Sequence, residues 1–276
     1  LDTSKALNDI LSFMKEAGAL ALQNQGRAKI SYKDGNQALT ETDLAISQLA
    51  QQRLKTWFDQ PNHILIDEES INLTPDEVFS RYEYQWSLDP IDGTAGYALG
   101  RRLYGTSLGV FHKGKPLLGA IYLPAIQELL VADEVRAWRV VNPFTPDAKE
   151  EPLQCRPMDV HSQIFVESFF GKFQKWDEPP VGKIWLNTPE SPLQGFMSVL
   201  TSQAAGAASA RMFSIWDVAA SVAMAQRAGF SIRSLSDGRV LSEFQPSDFK
   251  ENWRMSDVWL ICADENFDFL SNALKE

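Results

Sequence analysis

The run Leu88-Asp-Pro-Ile-Asp-Gly-Thr94 sets two carboxylates, Asp89 and Asp92, three residues apart around a proline that fixes the local backbone. Both can converge on one point. Gly93 lets the main chain approach a ligand closely, and Thr94 adds a hydroxyl. A second acidic group, Asp67-Glu68-Glu69, ends the apolar segment HILI. Asp217 opens a helix, where the dipole and free N–H groups favour anions. Strand ends in open α/β sheets are where ligands bind. Carboxylates crowded together raise one another's pKa unless a cation neutralises them, and oxygen donors without His or Cys select a hard ion such as Mg²⁺. The three histidines, His63, His112 and His161, are scattered and form no zinc motif. A single acidic turn residue such as Asp67 reads as ordinary solvated surface. The DPIDGT run does not, because its Pro, Gly and Thr all suit a metal-phosphate loop.

These residues need elements to carry them. Residues 5–24 place Leu7, Ile10, Leu11, Met14 and Ala21 near one helical face. Asp34-Gly35-Asn36 marks a turn. A second amphipathic helix is expected from Thr42-Asp43, with Thr42 as N-cap, towards Phe58. Strands are expected at 63–66, 84–88, 106–111, 117–122, 128–131 and 137–141, with a hairpin at Lys113-Gly114-Lys115. Residues 142–160 read as loop. Ser191-Pro192 supplies an N-cap and a Pro at the first helical position, opening a helix of small residues to about Gly206. Trp216-Asp217 starts another helix, closed by Gly229. A strand, an Asp237-Gly238 turn, a strand at 258–262 and a short helix complete the pattern of a layered α/β (α+β) protein.

The 276 residues carry 26 Lys+Arg against 36 Asp+Glu, a net charge of −10. That balance excludes a general nucleic-acid binder, whose affinity comes from Lys and Arg on phosphates. Hydrophobic residues make up 44%, enough for a large core and too many for intrinsic disorder. No apolar run approaches the roughly 20 residues that span a bilayer, so no membrane partner is expected. Two cysteines, Cys155 and Cys262, are too few for a disulfide framework, and a reducing cytoplasm is the expected location. Gly105-Thr-Ser107-Leu-Gly109 spells a nucleophile elbow, but an elbow needs a helix after the Ser and the following residues continue as strand. The loop Asp-x-x-Asp is one residue longer than that of the aspartyl-phosphate phosphatases.

Four segments in order, Thr40-Glu-Thr-Asp43, Asp67-Glu-Glu-Ser70, Leu88-Asp-Pro-Ile-Asp-Gly-Thr94 and Trp216-Asp-Val-Ala-Ala220, resemble the motifs of the inositol monophosphatase family, within the Mg²⁺-dependent, lithium-sensitive phosphatases. The resemblance covers most of 5–131 and 195–262 and is weak across 134–190. It implies an αβαβα sandwich formed by a single phosphatase unit, 1–276, with a possible division into 1–142 and 143–276. It implies Glu68, Asp89, Asp92, Asp217 and the Ile91 carbonyl as metal ligands, and Asp43 with Thr94 as the pair that orients and deprotonates water. It further implies that the N–H groups of Gly93 and Thr94 hold phosphate oxygens. The implied activity is Mg²⁺-dependent hydrolysis of a small phosphorylated metabolite, and the implied assembly is a homodimer.

Three departures bear on the substrate. Asp67 stands where the family usually has Gly, which puts an extra carboxylate next to the metal shell. Ala95-Gly96-Tyr97 is closer to the Lys-Gly-Phe of the 3′(2′),5′-bisphosphate nucleotidases than to the Thr-Asn-Phe of the monophosphatases. Ala210-Arg211 replaces the Glu that meets inositol hydroxyls, so Ala210 and Arg211 are the candidate substrate-binding residues. An inositol phosphate, a bisphosphate nucleotide, a sugar bisphosphate and histidinol phosphate all stay open as substrates. A metal-binding regulatory or protein-binding role is the alternative from outside enzymology.

Overall fold

The computed structural model describes residues 1–27, 29–32, 38–156, 163–166, 185–187, 189, 191–209 and 213–275. A large sheet runs in the order His63–Asp67, Tyr84–Asp92, Gly105–His112, Lys115–Leu123, Glu128–Ala132, Ala137–Val141, Lys149–Pro152. Its first two strands are parallel and the rest antiparallel. A smaller sheet runs Trp185–Asn187, Gln163–Val166, Gly206–Ser209, Trp259–Ala263, Phe230–Ser234.

The helices separate these sheets into five layers. Thr3–Asn24 and Glu41–Arg53 cover one face of the large sheet, burying Ile10, Phe13, Met14 and Ile46 against Trp86 and Leu88. Pro192–Leu200 and Ile215–Ala228 lie between the sheets, with Phe196, Val218 and Val222 in a core shared with Phe111, Ile121 and Ile261. Phe267–Lys275 closes the outer face of the small sheet through Leu270 and Leu274. The αβαβα sandwich is therefore present, and one continuous core joins strands of both sheets.

Four local expectations are corrected. The N-cap of the second helix is Thr40, not Thr42, because Asp43 at N3 closes a capping box with Thr40. Thr42 instead sits buried inside the first turn. That helix stops at Arg53, and Lys55–Phe58 follows as a separate turn after the buried Leu54. Part of 142–160 is a strand, Lys149–Pro152, an exposed edge whose polar KEEP sequence carries no alternation to reveal it. The helix opened by Pro192 ends at Leu200, and Gly206 belongs to a central strand. As expected, Ser107 lies within a continuous strand, Gly105–His112, and no helix follows it to form a nucleophile elbow.

The helix Ile215–Ala228 is buried around most of its circumference, as its Ala-rich sequence allows. It lies close on the sheet because glycines face it. A Cβ on Gly109 would stand 2.7 Å from the Ala219 carbonyl carbon, and one on Gly119 would stand 2.7 Å from the Ala220 oxygen. Main-chain atoms cannot swing aside as a flexible side chain does. Gly109→Ala is expected to destabilise the fold by about 1–3 kcal/mol, the range for overpacking a core, and to displace the helix that carries Asp217. Urea unfolding with an unchanged m-value would register the loss as stability alone.

Candidate metal centre

In a regular strand, residues three apart point to opposite faces. Asp89 and Asp92 avoid this through a bulge. Asp89 pairs with Ser107 and Asp92 with Gly105, so three steps on one strand match two on the other. One extra residue returns both carboxylates to the same side. Pro90 falls inside the irregularity, where a missing N–H breaks no ladder bond, and its carbonyl accepts from Thr106 Oγ1 at 2.8 Å. Gly93 then turns the chain with φ of 82°, in the left-handed region glycine tolerates, and starts the short helix Thr94–Ala98.

Two other helices deliver their acids through capping boxes. Asp43 Oδ2 accepts from the Thr40 N–H at 2.9 Å and from the Thr40 hydroxyl, while Asp43 Oδ1 receives Thr94 Oγ1 at 3.3 Å. Asp217 is the N3 residue of its helix, and its Oδ2 accepts from the Ser214 N–H at 2.5 Å. Each capping box leaves the orientation of its carboxylate fixed.

Asp89, Asp92 and Asp217 offer oxygens that all lie within 4.8 Å of one another. Asp89 and Asp92 are buried, Asp217 half-buried. Burial is the largest cause holding the Asp89 pKa well above its ordinary 3.8, followed by the charges of Glu68, Asp92, Asp217 and Asp43. Burial also raises Asp43, against the lowering effect of its Thr40 and Thr94 hydrogen bonds. Asp89 Oδ1 is buried with no hydrogen-bond partner. A desolvated carboxylate oxygen in a field of like charge, among oxygen donors alone, fits a hard divalent cation.

The expected residues thus divide. Asp89, Asp92 and Asp217 converge, Glu68 is close enough to act on Asp89, and Asp43 meets Thr94. The Ile91 carbonyl accepts from Thr94 Oγ1 at 2.8 Å and keeps a second lone pair for a cation. Ala210 and Arg211 lie outside the described residues. Asp67 does not enter the acidic group; its carboxylate turns to the hydroxyls of Ser47 and Ser70. Tyr97, in the loop thought to read the substrate, is buried and places its hydroxyl 3.0 Å from the Ala21 carbonyl and 3.1 Å from Thr42 Oγ1. It belongs to packing. Sequence reading missed Thr40 and the bulge, although Thr-x-x-Asp before a helix and Pro within a strand are their signatures.

A layered α/β sandwich with carboxylates gathered from strand ends and a helix start is the class that this fold and site define. The chain belongs to the inositol monophosphatase family, whose model matches residues 6–175. It is 33% identical to inositol monophosphatase 2 of Solanum lycopersicum over 119 residues, 43% of this chain and 44% of that protein. It is 28% identical to the 3′(2′),5′-bisphosphate nucleotidase CysQ of Buchnera aphidicola over 138 residues, 49% and 51% of the two chains. The chain thus spans about half the length of the curated relatives it matches. The structure of an IMPase from Thermotoga maritima superposes with a TM-score of 0.77 at 20% identity, covering 98% of this chain and 96% of that one.

The crowding has a measurable consequence. Because the folded-state pKa of Asp89 is raised, the folded metal-free chain binds more protons than the unfolded chain above the ordinary carboxylate value. Its contribution to stability is full below that value and is lost as pH rises through the folded one. In EDTA, Tm should fall as pH rises above the ordinary carboxylate range. Asp89→Asn should flatten that fall and raise Tm at neutral pH, and Mg²⁺ should stabilise the parent protein more than the variant. Scanning calorimetry with and without Mg²⁺ checks all three.

Proposed function

We propose that the chain hydrolyses a small-molecule phosphate monoester with Mg²⁺ as cofactor. The observation that carries this reading is the convergence of Asp89, Asp92 and Asp217, with the orphaned Asp89 oxygen, close to the Asp43–Thr94 pair. Glu68, Asp89, Asp92, Asp217 and the Ile91 carbonyl would hold the cations. When bound, such cations supply charge neutralisation and Lewis-acid activation for in-line displacement at phosphorus. Thr94 is oriented by its bond to Ile91 O, so its oxygen and Asp43 Oδ1 form a fixed pair to align a water and accept its proton. The N–H groups of Gly93 and Thr94 open a helix start and suit phosphate oxygens. Positioning and charge stabilisation then supply most of the barrier reduction.

The substrate reading favours a bisphosphate, such as a 3′-phosphoadenosine 5′-phosphate type nucleotide, over inositol monophosphate. Ala95-Gly96 with Ala210-Arg211 support it. Arg211 is suited to grip a second phosphate bidentately. We take 1–276 as one functional unit in a homodimer inhibited by lithium, in a reducing compartment such as the cytoplasm that suits the free Cys155 and Cys262.

A panel of phosphate esters with Mg²⁺, EDTA or lithium tests the activity. Asp43→Asn should lower kcat about 10²- to 10⁴-fold, the usual effect of removing a general base, and Asp89→Asn should abolish most turnover in a folded protein. Near-normal turnover of Asp89→Asn at saturating Mg²⁺ would sink the reading. For specificity, Arg211→Ala should erase the preference in kcat/KM for the bisphosphate over inositol monophosphate, and an unchanged ratio removes Arg211 from substrate recognition.

A further inference from the structure

Asp67 is a wholly buried carboxylate immediately before Glu68. Its Oδ1 accepts from Ser47 Oγ at 2.9 Å and from the Glu69 N–H at 3.3 Å, and its Oδ2 accepts from Ser70 Oγ at 2.7 Å. Its carbonyl closes the same turn, accepting from the N–H groups of Ser70 at 3.1 Å and Ile71 at 2.9 Å. Among the described residues no cation pairs with it.

The partners of this carboxylate come from two places that matter to the metal centre. Ser47 lies four residues after Asp43 on the helix Glu41–Arg53, so the two project from one face of it. Ser70 and the Glu69 N–H belong to the turn that begins at Glu68. Glu68 in turn donates its N–H to the Leu88 carbonyl at 3.2 Å, directly before Asp89. Asp67 therefore ties the helix that carries Asp43 to the turn that carries Glu68, beside the strand that carries Asp89.

We infer that Asp67 is a positioning residue: its buried carboxylate latches Ser47 and Ser70 so that Glu68 is presented to the acidic centre beside Asp89. The inference rests on the metal-dependent reading above. A buried carboxylate with three donors is held far more firmly than a glycine at this position could hold the turn, since glycine has no side chain to bind either serine. Partners one step removed from metal ligands typically change metal affinity or activity 10- to 100-fold when removed.

Isothermal titration of the full chain with MgCl₂ alone provides the test, alongside Tm in EDTA and the Mg²⁺ concentration for half-maximal phosphatase activity. Asp67→Ala should weaken Mg²⁺ binding about ten-fold, with kcat largely recovered at saturating Mg²⁺. Asp67→Asn should fall between Asp67→Ala and the parent, because its amide can accept from Ser47 and donate to a reoriented Ser70 hydroxyl. A role confined to stability would lower Tm and leave the Mg²⁺ Kd of the folded variants unchanged, and that result overturns the inference while the metal centre stands. If Asp67→Ala does not fold, Asp67→Asn and Ser70→Ala decide, and parental affinity in both overturns it. A parent chain that binds no Mg²⁺, or an Asp89→Asn variant that binds it equally well, overturns the metal reading and this inference together.

Discussion

Like charges held close in a desolvated place are the constraint on which the rest of this structure depends. Asp89, Asp92 and Asp217 stand within 4.8 Å of one another, and Glu68 and Asp43 add to the same field. Left to relax, such a group would scatter into water or take up protons. Its persistence requires that each acid be fixed by contacts stronger than the repulsion it meets, and that the elements carrying them be locked by packing.

The local fixings share one chemistry. Asp43 and Asp217 each close a capping box at a helix start, where main-chain N–H groups favour a carboxylate. Asp89 and Asp92 are brought to one side of the strand by a bulge around Pro90. The global fixing is apolar. Alanines of the helix Ile215–Ala228 lie against Gly109 and Gly119, which brings the Asp217 turn to the strand ends. Capping bonds and the bulge thus set the direction of the carboxylates, and close packing sets the distance between them. Neither would suffice alone, because orientation without proximity gives no cation site and proximity without orientation gives only repulsion.

How far the sequence carried the reading follows from this division. Period-2 and period-3.6 patterns placed the central strands at 84–88, 106–111 and 117–122, and the first helix, because buried faces imprint an apolar rhythm. The edge strand Lys149–Pro152 left no imprint, being exposed throughout. The expected helix after Pro192 runs six residues too far because the small residues of 201–206, TSQAAG, suit a helix, whereas the chain turns after Leu200 with Ser202 at a φ of 58°. Strand-end and helix-start placement points to Asp89, Asp92 and Asp217, and the family resemblance adds Asp43, yet the cap falls on Thr42, since side-chain preference alone cannot choose between Thr40 and Thr42. The reciprocal bond to Asp43 does.

Asp67 shows where composition misleads. As one acidic residue in a turn it reads as solvated, and next to Glu68 it reads as a further donor to a cation. It is neither, because two serines distant or adjacent in sequence, Ser47 and Ser70, take up its oxygens inside the fold. The same logic applies to Tyr97, whose position in a loop beside Thr94 suggests contact with substrate while its hydroxyl is engaged with Ala21 and Thr42 in the core. Side chains next to the acidic group in sequence are thus bound into the fold around it, and the acids themselves come from elements far apart. Ala95 and Gly96 can depart from the monophosphatase pattern because neither carries a side chain that holds the acidic group together.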